Sequence, residues 1–295
     1  MSMDSARLRS VARPLRDVFE PIAASVYFLP ECHQRYAALG LGEFGPAYFG
    51  SRGGCLGGGR GPVPGEVVAA AFGVFNPTVV VAAVHTAWAT TDAASLLRAR
   101  EEGTVAGLDR ILGTDVSGLA FATDLLRRGA DAAGGEGRPL FSGLRSLGWP
   151  GTPMGDFWRA ADLVREHRGD SHIAAWVSHG LGPIEAQLLL ELWWRMPLGV
   201  YTRTRGWTDE QMARTWEGLL DQGLVTGALD ASGAFTDAGE ALRASIEEAT
   251  DRQERIIVEA IGDDVAELIA VLRPMALAVV AAKGYPVDPA TRTRP

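Results

Sequence analysis

Apolar residues recur at helical spacing along most of the chain, and strict apolar-polar alternation is almost absent, which predicts a mainly α protein with little sheet. The spacing predicts helices over 11–25, 30–39, 64–75, 77–88, 92–112, 116–130, 139–147, 154–168, 171–179, 183–195, 197–204, 208–222, 237–260 and 263–283. The Gly-rich piece "GADAAGGEG" at 129–137 is the best linker, and it divides a first unit, 1–130, from a second, 138–295.

The two sides of that linker are faintly alike. "AYFGSRGGCLGGGRGPVPGEVVAAAFGVF" and "PLFSGLRSLGWPGTPMGDFWRAADLVR" both lead from an aromatic-Gly/Ser-Arg stretch through a Pro-rich turn into an apolar helix. Phe49 matches Phe141, and Gly65-Glu66 matches Gly155-Asp156, so an internal duplication is inferred.

Residues 183–245 carry the clearest architectural signal. Pro183 opens a first helix, a short second one follows, and Thr208 with Gln211 makes a capping box for a third, which Gly223 ends. Two short strands around Asp230-Ala231-Ser232-Gly233 precede a long helix, which Asp237 and Glu240 are expected to cap. That order is a winged helix-turn-helix. The stretch "LLDQGLVTGALDASGAFTDAGEALR" resembles the recognition helix and wing of MarR-like regulators, and this resemblance implies that the helices of 240–283 serve as dimerisation helices. Together with "PECH", "YFGSRGG", "RSLGWPG", "REHRGDSHIAAW" and "YTRTRGW", the chain is similar to an actinobacterial helix-turn-helix family with two such units per chain, a resemblance that implies a fold and assigns no activity.

The third helix has two faces. Met212, Trp216, Leu219 and Leu220 form its packing stripe, while Glu210, Arg214, Glu217 and Asp221 form the stripe a DNA reader would insert in the major groove. Three acids against one Arg repel phosphate, and only Arg203 and Arg205 stand nearby. Nucleic acid is therefore not expected as a partner, and the winged unit is expected to be a packing scaffold.

Charge and composition agree. The 295 residues are 47% hydrophobic with a formal net charge of −8, which removes average attraction to phosphate. Cys32 and Cys55 form no Cys-x-x-Cys pair, and the N-terminal stretch lacks the apolar core of a secretory signal, so a reducing cytoplasm is expected. The apolar run 66–88 is broken by Asn76-Pro77 and holds Glu66 and His85, and the run 275–282 is short; neither is expected to span a bilayer.

The candidate chemistry is concentrated in "VREHRGDSH", residues 164–172, which packs six ionisable side chains between apolar flanks. Gly169 is expected to end one helix, with Asp170 or Ser171 capping the next, so that the reversal gathers His167, Arg168, Asp170 and His172. Two readings fit these groups. They line a pocket for an anionic or aromatic small molecule, with Arg165, Glu166 and Trp176 beside them and Arg52 contributed by the Gly-rich loop, or they form a charged turn paired within itself. His167 and His172 are the candidates for acid-base catalysis. A metal at His167, Asp170 and His172 is a weak third option, since the spacing matches no zinc pattern. The segment "SRGGCLGGGRGPVPGEVV" lacks the Gly-Lys-Ser/Thr ending of a phosphate loop, no nucleophile elbow, dinucleotide fingerprint or paired-carboxylate signature is present, and no cofactor is expected.

The expected function is recognition of a small organic molecule by a monomer or homodimer, with enzyme status open. The alternative is a ligand-responsive MarR-like transcriptional regulator.

Overall fold

The computed structural model describes residues 4–289; the outermost ends of both predicted units, 1–3 and 290–295, lie outside them. The chain is mainly helical. The first half runs through α1 (Ser5–Ala24), α2 (Pro30–Ala38), α3 (Phe44–Leu56), α4 (Gly65–Phe72), α5 (Pro77–Thr90), α6 (Ala93–Leu112) and α7 (Leu119–Ala132). The second half runs through α8 (Pro139–Arg145), α9 (Pro153–Ser178), α10 (Pro183–Trp193), α11 (Val200–Arg203), α12 (Asp209–Asp221), β1 (Val225–Thr226), β2 (Ala234–Phe235), α13 (Asp237–Gln253), α14 (Arg255–Ile261) and α15 (Val265–Ala281).

Local chemistry sets most of these boundaries. Asp4, Asn76, Asp92, Thr152 and Thr236 each accept a backbone N–H at the start of a helix. Thr208 and Gln211 close the expected capping box on α12, and Gly223 follows that helix at φ 68°. Thr236, not Asp237 or Glu240, caps α13, its hydroxyl accepting the Gly239 N–H, and the two acids lie in the first turn. Strands β1 and β2 pair antiparallel, Val225 with Phe235 and Thr226 with Ala234, and are the only sheet among the described residues.

Three expectations are corrected. The Gly-rich piece around Arg52 is helix α3 rather than a loop, because its glycines sit where neighbours press in: a Cβ at Gly50 would stand 2.5 Å from that of Ala87, and one at Gly53 would meet Trp88 at 3.0 Å. Gly169 does not end a helix, since α9 runs unbroken through it. The helix expected over 237–260 is divided at Glu254 into α13 and α14.

One apolar cluster draws on residues from Leu15 to Val279 and so on both sides of the 129–137 segment. Helix α1 lies along α15 and α9, α7 packs on α9 and α14, and α3 packs on α8. A second cluster joins the end of α9 to α10, α12, β1 and α13, and a third is built from α3, α4 and α5. No helix among the described residues is long and apolar enough to cross a membrane.

Candidate functional site

Helix α9 is the axis on which the site is built. From Met154 to Trp176 nearly every turn is buried on all sides, and the charged residues of "VREHRGDSH" are inside the protein rather than on a solvated helix end. Ionised groups in such a place require partners. They find them on five different elements.

On the side facing the first half, Asp162 accepts from Arg100 of α6 at 2.7 Å, and Arg52 of α3 pairs with Glu166 and stands 3.9 Å from Asp162. Burial alone would raise the Asp162 carboxyl, but Arg100 and Arg52 together outweigh it and hold it below the usual carboxylate range. Arg100 also lies over the Trp158 ring at 4.6 Å. Arg159 donates to the Gly148 carbonyl at 2.6 Å and pairs with Glu101 at 3.0 Å.

On the opposite side, His167 Nδ1 is 2.6 Å from a carboxylate oxygen of Glu254, at the junction of α13 and α14, and its ring meets Phe141 edge-on. Arg168 donates to Asp251 at 2.9 Å and stands 3.6 Å from Glu247, both on α13. Asp170 accepts the Phe141 N–H at the start of α8, and burial pushes its carboxyl up to about 7. His172 Nδ1 lies 3.0 Å from the Thr250 hydroxyl, and His179, two turns on, reaches Ser245; both contacts fall on α13.

The predicted gathering of His167, Arg168, Asp170 and His172 by chain reversal does not occur. On a continuous helix the four divide between two faces: His167 and Asp170 turn toward Phe141 of α8, while Arg168 and His172, one turn apart, turn toward Asp251 and Thr250 of α13. The same division separates His167 and Asp170 from His172 as metal ligands, and no group of three His, Cys, Asp or Glu among the described residues is placed to hold a metal ion. Arg52, Glu166, His167 and Asp170 make the contacts above, while Arg52 Nε and Nη1, His167 Nε2 and Asp170 Oδ1 are buried without a hydrogen-bond partner among the described residues, and Trp176 is buried in the second apolar cluster, against Gly73. Glu66 and His85 are exposed.

Arg165, Arg168 and His172 share a different location. They line a cleft of about 200 Å³ between α1, α9, α10 and α13, together with the exposed backbone of Gly169. Helix α1 supplies Arg16, Phe19 and Glu20, α10 supplies Leu190 and Trp194, α13 supplies Glu247, and Tyr285 and Pro289 close one end. Arg165 pairs with Glu20 at 3.0 Å and Glu166 at 2.5 Å. Nη1 of Arg168 is buried without a hydrogen-bond partner. Burial pushes the His172 imidazole down to about 4, so it is neutral at pH 7. Burial opposes ionisation of Glu247 as well, but Arg243 and Arg168 hold it well below the usual carboxylate range. The cleft thus offers guanidinium groups, a neutral imidazole and aromatic walls. Sequence reasoning missed the residues of α1, α10, α13 and the 285–289 segment, since no local pattern ties them to α9.

The winged unit has the expected order of α10, α11, α12, hairpin and α13. Asp209, Glu210, Arg214, Glu217 and Asp221 are exposed on α12, and Arg203 is engaged by Asp209 at 2.6 Å. The turn entering α12 is covered by the first half: Asn76 donates to the Gly206 carbonyl, the Asn76 N–H to the Arg205 carbonyl, and the Trp207 indole to the Val74 carbonyl. Arg205 stacks on Tyr201 and Phe75.

The fold and this unit define a mainly helical helix-turn-helix protein. The chain belongs to the helix-turn-helix family whose model matches residues 12–286. No curated protein matches it, and neither does any solved structure.

Proposed function

We propose that this chain binds a small anionic or aromatic organic molecule in the α1–α9–α10–α13 cleft and keeps its winged helix-turn-helix unit, which is MarR-like in sequence, as a scaffold. The observation that carries the reading is the convergence of Arg16, Arg165, Arg168 and His172 with Phe19 and Trp194 around one cavity of about 200 Å³. Guanidinium groups present planar donors to a carboxylate, and a neutral imidazole both donates and accepts. The acidic exposed face of α12 and the covered turn before it support loss of DNA reading. Phe49 lies in α3 and Phe141 in α8, and each helix leads through a turn into the one that holds its matched Gly-acid pair, α4 with Gly65-Glu66 and α9 with Gly155-Asp156; this parallel order supports descent of the two halves from one duplicated unit.

Thermal melting with a panel of aromatic carboxylates such as benzoate, salicylate and phenylacetate tests the proposal. A ligand present at ten times its Kd stabilises by about 1.4 kcal/mol, and Arg16→Gln and His172→Gln are expected to remove that gain. No stabilisation by any member, or a gain that both variants retain, overturns the reading. Family membership motivates the second reading, a ligand-responsive regulator. Duplex binding that falls steeply with salt, and that weakens on charge reversal of Arg203 or Arg205, would favour it instead.

A further inference from the structure

A second cavity, of about 130 Å³, lies away from the cleft between the start of α2 and the start of α3. Its volume is close to that of the roughly 150 Å³ engineered cavity that holds a benzene ring. Four phenyl and phenol rings line it, Tyr27, Tyr36, Phe44 and Tyr48, together with the His33 imidazole, whose Nε2 lies 3.0 Å from the Tyr27 carbonyl oxygen. Tyr27 and Tyr48 meet at 69° with centroids 4.8 Å apart, while Phe44 stacks on Tyr48 at 5.1 Å and 17°, so the walls stand in two orientations. Burial raises the pKa of the Tyr27, Tyr36 and Tyr48 phenols, so these rings are neutral.

The charge at its mouth is negative. Glu43 lines the cavity, is exposed and makes no side-chain cap on α3; its carbonyl accepts the Ala47 N–H, but its carboxylate has no hydrogen-bond or ion-pair partner among the described residues. The guanidinium groups behind the aromatic wall are matched: Arg52 by Glu166, Arg100 by Asp162, and Arg165 by Glu20. The α3 N-terminus adds about half a positive charge at the mouth, which the full negative charge of Glu43 exceeds. Tyr27 already presents its ring to one cation, the Arg165 guanidinium at 5.5 Å. Aromatic faces with an unpaired carboxylate are the chemistry that selects organic ammonium ions.

We propose that the Tyr27–Tyr36–Phe44–Tyr48 cavity, with Glu43 at its mouth, is a binding site for a small alkylammonium group. It is separate from the cleft assigned above and does not depend on that assignment.

Choline chloride and its neutral carbon isostere 3,3-dimethylbutan-1-ol are the probes, titrated against the full chain by ligand-observed saturation-transfer NMR. Choline is expected to bind saturably and the isostere more weakly. Glu43→Gln and Phe44→Ala are each expected to weaken choline roughly two- to fivefold or more, at an unchanged melting temperature because both side chains are exposed. Absence of saturable choline binding, equal binding of the isostere, or unchanged choline affinity in Glu43→Gln overturns the proposal.

Discussion

The side-chain amide of Asn76 donates to the Gly206 carbonyl at 3.0 Å, so the turn between α4 and α5 grips the turn that leads into α12. Asn76 also caps α5 through Thr78 N–H at 3.0 Å, and a Cβ at Gly206 would stand only 2.8 Å from Val79. Asn76→Ala is expected to lower stability by about 1–3 kcal/mol, the sum of a lost cap and a lost bond, as read by urea denaturation. Fluorescence anisotropy with duplex DNA should remain flat in both proteins. A variant as stable as the parent, or one that gains DNA binding, would contradict the account of this contact.

His167 and Glu254 are both buried, so neither has water to fall back on. Glu254→Ala leaves the imidazole Nδ1 unsatisfied and is expected to cost about 2–3 kcal/mol, whereas Glu254→Gln keeps an acceptor and costs clearly less. Equal losses in the two variants would show that the bond is not what holds α9 to the α13–α14 junction.

Buried and exposed ion pairs should behave differently. Arg100→Met strips Asp162 of its 2.7 Å partner in a fully buried setting, and removal of one partner there costs about 3–5 kcal/mol. Arg203→Ala breaks the Arg203–Asp209 pair, whose side chains are 57% and 76% exposed, and should change stability by less than about 1 kcal/mol. Chemical denaturation of the two variants side by side decides the matter.

His172 and Asp170 titrate with opposite signs. The His172 pKa falls from 6.5 to about 4 on folding, so between those values the unfolded chain takes up a proton that the folded chain refuses. Its contribution is complete above pH 6.5 and is lost as pH falls toward 4. The Asp170 pKa rises from 3.8 to about 7, so the folded chain holds a proton that the unfolded chain releases, and stability is lost as pH rises through that range. Stability measured from pH 4 to 8 should therefore rise less steeply with pH in His172→Gln than in the parent, and more steeply in Asp170→Asn. Parallel profiles for the parent and both variants would refute this.

Gly169 is a helix-interior residue with open space beside it, its nearest neighbour for an added Cβ being Glu166 Oε2 at 3.9 Å. Gly169→Ala should stabilise α9 by about 0.5–1 kcal/mol. Because Gly169 lines the cleft, the same methyl group narrows the cavity and should weaken a bound carboxylate. A variant that is more stable and binds as before would place the ligand elsewhere.

The winged unit was legible because each of its elements carries its own signal: Pro183, the Thr208–Gln211 box, Gly223 and the Asp230–Gly233 turn act within a few residues of where they are read. Helix α3 was not. Gly50, Gly53 and Gly54 argue against a helix locally, and only the pressure of Ala87, Trp88 and Leu97 explains them. Gly169 misled in the same way, since buried ion pairs on both sides of it override its propensity. The ionisable cluster itself was visible, but its partners are not near in sequence. Asp251 and Glu254 stand more than 80 residues from Arg168 and His167, so pairing and cleft became apparent only once α13 was seen beside α9.

The contact of α1 with α15 bears on how the chain is made. Helix α1 leaves the ribosome well before α15 and finds part of its apolar cover there, so that face stays uncovered while everything between the two is being made. Assembly of the main core can finish only after α15 has emerged, and removal of α15 should leave a translation product that chaperones retain instead of release.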